Sequence, residues 1–344
     1  MRLRIEQFEL DLNTEFTTAS QTVTTRKGAV IIVTDGETYG IGEATPLAGW
    51  TESTEACYRA LSALPNSLGD HDIDGLLHQL SDTPAARHGV ELALLDYAAR
   101  KESVSLYTHI SDSKLTQTSV PVNATIGSVD GQKLSQQVES AINQGYETIK
   151  VKAGKASPDV DKNRIERVRS IAGPSVSIRV DVNESWSLRT AQAATHWINK
   201  ADVEYLEQPL PRECLEEHAE LNRSANVAID EGLYEYDITS IIEKNAAAYL
   251  ICKPMAIGGI LPTRKIARQA RNAGIEPVIT TTIDGAIART AATHLAVSLA
   301  PLPACGLATG QLLAEDHCRF PIHVDSGVFT VPDAVGLGID RSEL

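Results

Sequence analysis

The chain has 344 residues, 42% of them hydrophobic and 22% charged, which suits a globular protein of two domains or one large domain with an appendage. Its 31 basic and 45 acidic side chains give a net charge of −14, which opposes binding to nucleic acid or anionic membranes, because either needs a basic patch. There is no apolar run of about 18 residues for a transmembrane helix, and Met1-Arg2-Leu3-Arg4-Ile5-Glu6 lacks the apolar stretch of a signal peptide, so a cytoplasmic protein is expected.

In chain order, residues 4–12, 28–34 and 38–43 read as strands, with Asp35-Gly36 as the hairpin turn between the last two. Helical patterns follow at 52–63, 73–80 and 83–101, the last opening at Thr83-Pro84. Strands followed by helices predict an α+β domain over residues 1–115. From about residue 120 the pattern becomes regular alternation. Apolar runs stand at 120–122, 148–151, 176–180, 203–206, 227–229, 249–251 and 277–279, with a weaker one at 302–307. Between them lie helical stretches such as 129–144, 159–171, 188–199, 261–273 and 286–299. This predicts parallel strands with crossover helices, and over residues 116–315 it fits a closed (β/α) barrel better than an open sheet. Residues 316–344 break the alternation and are expected to pack back on the first domain.

The strand ends carry the chemistry. They present Lys150-Val151-Lys152, Asp181-Val182-Asn183, Glu207-Gln208-Pro209, Asp230-Glu231, Lys253-Pro254 and Thr280-Thr281-Thr282. From Lys152 to Lys253 the intervals are 29, 26, 23 and 23 residues, each about one βα unit, so the groups fall at the same end of successive strands. Asp181, Glu207 and Asp230 then converge from three consecutive strands, a set of oxygen ligands suited to a hard cation, Mg²⁺ before Mn²⁺. Lys152 and Lys253 flank them, and strand alternation puts Lys150 on the same face as Lys152. A cation on the oxygens of a substrate carboxylate stabilises the enediolate formed when the adjacent carbon loses a proton, and a lysine beside it can be the base. The expected partner is a small-molecule carboxylate, and the sequence allows a homo-oligomer.

Other features read as structural. Cys57, Cys214, Cys252, Cys305 and Cys318 are odd in number, widely spaced and without a C-x-x-C pair, so neither a disulfide framework nor a zinc site is expected. His71 reads as a surface turn, and His196, His218 and His294 as helix residues that pack or face outward. Gly40-Ile41-Gly42 continues a hairpin strand and is not a phosphate loop.

These motifs resemble the enolase superfamily, and Lys150-Val151-Lys152 with Lys253-Pro254 is similar to its muconate lactonizing enzyme subgroup. The resemblance implies a modified (β/α)8-type barrel, (β/α)7β, with an N-terminal α+β capping domain. It implies Lys152 as base, Lys150 as its electrostatic partner, Lys253 as the opposite lysine and Asp181, Glu207 and Asp230 as metal ligands. Within the subgroup, five sets of residues resemble the o-succinylbenzoate synthase family of menaquinone biosynthesis. They are Thr25-Arg26-Lys27-Gly28-Ala29-Val30, the run Gly42-Glu43-Ala44-Thr45-Pro46-Leu47-Ala48-Gly49-Trp50, Asp181-Val182-Asn183-Glu184-Ser185-Trp186, Ile279-Thr280-Thr281-Thr282-Ile283-Asp284 and Cys305-Gly306-Leu307-Ala308-Thr309. That family dehydrates 2-succinyl-6-hydroxy-2,4-cyclohexadiene-1-carboxylate. Loops at about 12–26 and 46–51 would then close over the substrate tail, with Trp50, Asn183, Thr281 and Gly306 as substrate contacts. Two departures stand out: threonines and Asp284 in the stretch that often carries serines and a Glu, and Ala308 where an Asp is common. The alternatives are a racemase or epimerase of N-acylamino acids or dipeptides and a muconate-type cycloisomerase. Dipeptide epimerases hold a substrate ammonium with an acidic pair near the eighth strand, which Leu307-Ala308-Thr309 lacks.

Overall fold

A computed structural model of the chain describes residues 1–17, 22–68, 73–112, 117–127, 129–318 and 324–343, with the side chains of 14–17 and 343 left aside. His71, the tip of the 12–26 loop and the 115/116 boundary lie outside the described residues.

The chain opens with β1 (Arg2–Thr17), β2 (Thr22–Thr34) and β3 (Tyr39–Ala44), an antiparallel sheet. β1 and β2 are longer than the apolar pattern predicts, because their backbones go on pairing beyond it, Asp11 with Thr25 and Thr17 with Thr22, and backbone pairing needs no apolar side chain. Helices α1 (Thr54–Ser62), α2 (Ile73–Gln79) and α3 (Pro84–Lys101) pack on this sheet, and α4 (Leu106–His109) follows. The glycines of β3 are there for close packing: a Cβ on Gly40 would lie 2.1 Å from the Ala93 carbonyl and one on Gly42 2.0 Å from that of Gly89. Thr83 precedes α3 without capping it through its side chain. The Glu52 carboxylate instead accepts from Ala85 and Ala86 N–H at 3.0 and 2.9 Å.

The apolar run at 120–122 divides. β4 (Ser119–Pro121) pairs antiparallel with the C-terminal segment, and the barrel strand is β5 (Ala124–Ile126). The alternation continues through α5 (Gly131–Asn143), β6 (Thr148–Lys152), α6 (Pro158–Ala172), β7 (Ser177–Asp181), α7 (Leu188–Lys200), β8 (Val203–Glu207), α8 (Leu215–Leu221) and β9 (Val227–Ile229). It ends with α9 (Ile238–Lys244), β10 (Tyr249–Cys252), α10 (Pro254–Ile257), α11 (Ile260–Asn272), β11 (Glu276–Ile279) and α12 (Ala286–Leu299). Among the described residues β5 to β11 form one parallel sheet in sequence order. The eighth position is only a pair of bridges: Cys305 pairs with Val122 and Gly306 with Thr280, both parallel, which closes the sheet into a barrel. The weak run at 302–307 is this short closure. The protein is thus an α/β barrel behind an N-terminal α+β domain.

A hairpin of β12 (Val324–Asp325) and β13 (Val328–Thr330) adds to β4, and the chain then returns to the N-terminal domain. There Leu106 N–H donates to Gly336 O at 2.7 Å, and Leu337 N–H to the buried Asp96 carboxylate at 2.7 Å. No helix among the described residues is long and apolar enough to cross a membrane.

His294 of α12 joins these parts. Its Nδ1 accepts from Tyr107 N–H at 3.1 Å, its Nε2 lies 3.3 Å from Leu337 O, and burial lowers its pKa to about 4. The folded state therefore holds fewer protons here than the unfolded chain, so this contribution is complete above about pH 6.5 and is lost as pH falls toward 4. At pH 5 the loss is about 2 kcal/mol relative to pH 7. The melting temperature of wild type should fall more between pH 7 and pH 5 than that of His294→Gln. Equal falls would rule out this role.

Candidate active site

Inward-facing residues at the C-terminal ends of the barrel strands build the site. Lys152, Asp181 and Glu207 are direct neighbours in the parallel ladder, and Asp230 and Lys253 follow at once after β9 and β10. Lys152 Nζ donates to Asp181 Oδ2 at 2.6 Å and to Asn183 Oδ1 at 2.8 Å. Lys150 Nζ, one layer deeper, donates to Glu207 Oε1 at 2.7 Å and stands 3.1 Å from Asp181 Oδ2. Lys253 Nζ lies 2.6 and 2.5 Å from the two oxygens of Asp230. Three ammonium groups are thus held against three carboxylates, all from strand-end positions.

The loops behind these residues are held in uncommon backbone conformations. Asn183, Glu184 and Gln208 have φ of 46°, 64° and 38°, in the left-handed region that side chains disfavour. Gln208 Oε1 accepts from Asp230 N–H at 3.0 Å and Gly232 N–H at 3.1 Å, which fixes the loop carrying Asp230. Asn183 Nδ2 donates to Glu231 Oε1 at 3.2 Å, so Lys152, Asn183 and Glu231 form one chain. Sequence reasoning placed Glu231 among the strand-end groups but gave it no role. Its position directly after Asp230 at a strand end was the available signal.

Electrostatics separate the groups. Burial alone would lower the Lys150 ammonium, but Glu207 and Asp181 outweigh it and hold it well above its usual range. Burial pushes the Asp181 carboxyl up, but Lys152 and Lys150 bring it far below the usual carboxylate range. Glu207 is shifted upward by burial and by the like charges of Asp181 and Asp230, and Glu231 by burial and Asp230. Glu207 Oε2 and Glu231 Oε2 are buried without a hydrogen-bond partner. Four carboxylates face three ammonium groups, with two oxygens unsatisfied. That excess is what a divalent cation with oxygen ligands would relieve, so the donor set fits Mg²⁺. Among the described residues the acids are not already drawn around one point: Asp181, Glu207 and Asp230 are each engaged by a lysine and Glu231 by Asn183.

The four expected substrate contacts divide. Asn183 lies in the charged chain. Trp50, from the N-terminal domain, sets its ring over Lys253, with Nζ 3.3 Å from the ring centroid. Thr281 Oγ1 meets Thr309 Oγ1 at 2.8 Å on the wall beside the closure. Both Gly306 backbone groups are engaged: its N–H donates to Ile279 O at 2.9 Å and its carbonyl accepts from Thr280 Oγ1 at 2.9 Å. A Cβ on Gly306 would lie 2.3 Å from that hydroxyl, so glycine is required by the closure itself.

Comparison with known proteins agrees with this architecture. Residues 133–343 match the Enolase C-terminal domain-like family, and residues 1–97 match the MenC N-terminal domain. The chain belongs to the enolase superfamily. It is 26% identical to the L-Ala-D/L-Glu epimerase of Bacillus subtilis over 98% of this chain and 96% of that protein. The solved structure of that epimerase superposes with a TM-score of 0.88, at 25% identity and with 98% of each chain covered. A chloromuconate cycloisomerase of Cupriavidus pinatubonensis is 29% identical over 90% of this chain and 87% of its own. An o-succinylbenzoate synthase of Thermobifida fusca is 34% identical over 62% of this chain and 66% of its own. The protein is therefore an enzyme of a superfamily whose relatives here include an epimerase, a cycloisomerase and a synthase.

Mg²⁺ at about a hundred times its dissociation constant should stabilise the protein by about 2.7 kcal/mol, read as a rise in melting temperature. At the same concentration the rise should shrink in Glu207→Gln and in Asp230→Asn. An undiminished rise in both would remove these residues as ligands.

Proposed function

We propose that the protein is an o-succinylbenzoate synthase, which dehydrates 2-succinyl-6-hydroxy-2,4-cyclohexadiene-1-carboxylate with Mg²⁺ held by Asp181, Glu207 and Asp230. The observation that carries this reading is the match of residues 1–97 to the MenC N-terminal domain, since this domain brings Trp50 to the barrel mouth. The 34% identity to a synthase supports it further. So does the wall formed by Leu307, Ala308, Thr309 and Thr281, which carries no acid to hold a substrate ammonium.

In this reading Lys152 removes the proton on the carbon beside the substrate carboxylate. Asp181, Glu207 and Asp230 would hold Mg²⁺ at this point, and a cation so held would supply positive charge against the developing enediolate. Lys253, four strands along the sheet from Lys152, faces the developing charge from the other wall. Lys150 fixes Glu207 and Asp181 beneath it. The electron pair of the broken C–H bond becomes a ring double bond and the C–O bond to the neighbouring hydroxyl breaks. The departing hydroxide takes the proton back from Lys152, so the products are water and the aromatic ring and the base is restored. Asn183, bound by Lys152 and bonded to Glu231, keeps the base aimed after it has taken its proton.

The full-length similarity to the epimerase favours a second reading, proton removal and return at an α-carbon without loss of a group. Purified protein with Mg²⁺ should release water from the cyclohexadiene, and Lys152→Ala should lower kcat by about 10²–10⁴-fold. Exchange of an α-proton with D₂O in N-acylamino acids or dipeptides, with no dehydration at high enzyme concentration, would replace the synthase by the epimerase reading.

A further inference from the structure

We propose that Trp50 is a positioning residue for Lys253, through which the N-terminal domain sets the direction of the barrel lysine. The inference rests on Lys253 having the role given above. The Lys253 ammonium has two kinds of neighbour. On the barrel side are both oxygens of Asp230, at 2.6 and 2.5 Å, and on the other side is the indole face of Trp50, 3.3 Å from Nζ to the ring centroid. The negative face of an aromatic ring attracts an ammonium, most strongly for tryptophan and where water is kept away. Lys253 is 7% exposed, so water competes little for that face. Asp230 is also a proposed metal ligand. When its oxygens turn to a cation, the indole is the contact that still holds the ammonium in place.

The ring is packed against a neighbouring ring, and the turn that carries it is hydrogen-bonded. Tyr234, four residues after Asp230, meets the indole edge-on at 5.3 Å and 86°. The turn that carries it is closed by Trp50 N–H and Thr51 N–H, both donating to Leu47 O at 2.9 Å, and by Leu47 N–H donating to Thr51 Oγ1 at 2.8 Å. Gly49 stands at φ 92°, where a side chain would be strained. Ahead of the turn the buried Arg26 guanidinium donates to Thr45 O at 2.8 Å, Pro46 O at 3.0 Å and Ile283 O at 3.0 Å. It thereby ties the turn to the loop after β11. A continuous set of contacts runs from the N-terminal sheet through Arg26 and the turn at residues 47–51 to the ammonium.

Two measurements test this. In the first, the emission of the whole protein is compared between wild type and Lys253→Met, and between Trp50→Phe and the double variant. Removal of the ammonium should change the spectrum only where Trp50 is present. The same change in both backgrounds, or none in either, overturns the proposal. In the second, dehydration is followed in Trp50→Leu and Trp50→Phe. Trp50→Leu should lower kcat about tenfold with KM within a factor of about three, and Trp50→Phe, which keeps an aromatic face, should recover most of it. A loss confined to KM in Trp50→Leu overturns the proposal and makes Trp50 a substrate contact. If wild type does not dehydrate the cyclohexadiene while the spectral coupling holds, the synthase reading falls and this inference stands.

Discussion

The mutual neutralisation of buried charge in the barrel mouth is the constraint on which the rest depends. Asp181, Glu207, Asp230 and Glu231 are all 5% exposed or less, and each would cost several kcal/mol if it stood alone. They are tolerated because Lys150, Lys152 and Lys253 reach the first three within hydrogen-bond distance, which requires neighbouring strands to end in register, and because Asn183 donates to Glu231. The parallel ladder supplies that register, with Lys152 opposite Asp181 and Asp181 opposite Glu207. Beneath the charges the barrel is plugged by Tyr205, Ala228, Ile251 and Val278. Arg179, also buried, bonds Glu204 at 2.7 Å and the Ala304 carbonyl at 2.5 Å, so the short closing segment is tied to β7 below the site. A barrel closed by only two bridging residues holds its shape partly through this arginine.

The same device, buried charge answered locally, joins the N-terminal domain to the barrel. Glu43 of β3 accepts from Gly285 N–H at 2.7 Å and Ala288 N–H at 2.9 Å at the start of α12. Glu91 of α3 accepts from Ile260 N–H at 2.5 Å and Leu261 N–H at 3.3 Å at the start of α11. Both carboxylates meet free N–H groups at the positive end of a helix dipole. They nevertheless shift in opposite directions. Burial pushes both up, but Glu43 also has His317 at 3.3 Å and the Thr45 hydroxyl, which bring it down to about 2. Glu91 has Arg87 at 3.6 Å and the two N–H groups to set against burial, but no such close side-chain partner, and it rises to about 7. His317 belongs to the C-terminal segment, so three parts of the chain meet at Glu43.

How much of this is legible in the sequence depends on the range of the signal. Lys152, Asp181, Glu207, Asp230 and Lys253 are readable because a repeat of 23–29 residues carries them in phase with the strands. The structure brings these five together with Lys150. The closure at Cys305-Gly306 is barely legible, since two bridging residues leave almost no periodicity. The run at 120–122 misleads about where the barrel begins, because an edge strand paired with the tail and a barrel strand both favour apolar residues. Glu43, Glu91 and Arg26 are invisible as a set, for their partners are backbone groups more than 160 residues away or in the β3–α1 loop. The available trace is one of parity: Arg26 shares its strand face with the apolar Val30 and Ile32, and a charge in such a place needs a buried partner.

The relatives bear names of three different activities at identities between 26% and 34%, so the sequence shared with them does not encode the difference among those activities. The charged layer has little freedom to encode it either, because altering one member leaves a buried charge unanswered. Freedom lies in the walls: the turn at residues 47–51, the Thr281–Thr309 contact and the loop after β11. Arg26 suits this division of labour. All three of its acceptors are backbone carbonyls, of Thr45, Pro46 and Ile283, and a carbonyl is the same whatever side chain its residue bears. The anchor can therefore stay fixed while the side chains on the anchored loops change. In this way a barrel with a rigid set of charges can present different walls to different substrates without its charged layer being rebuilt.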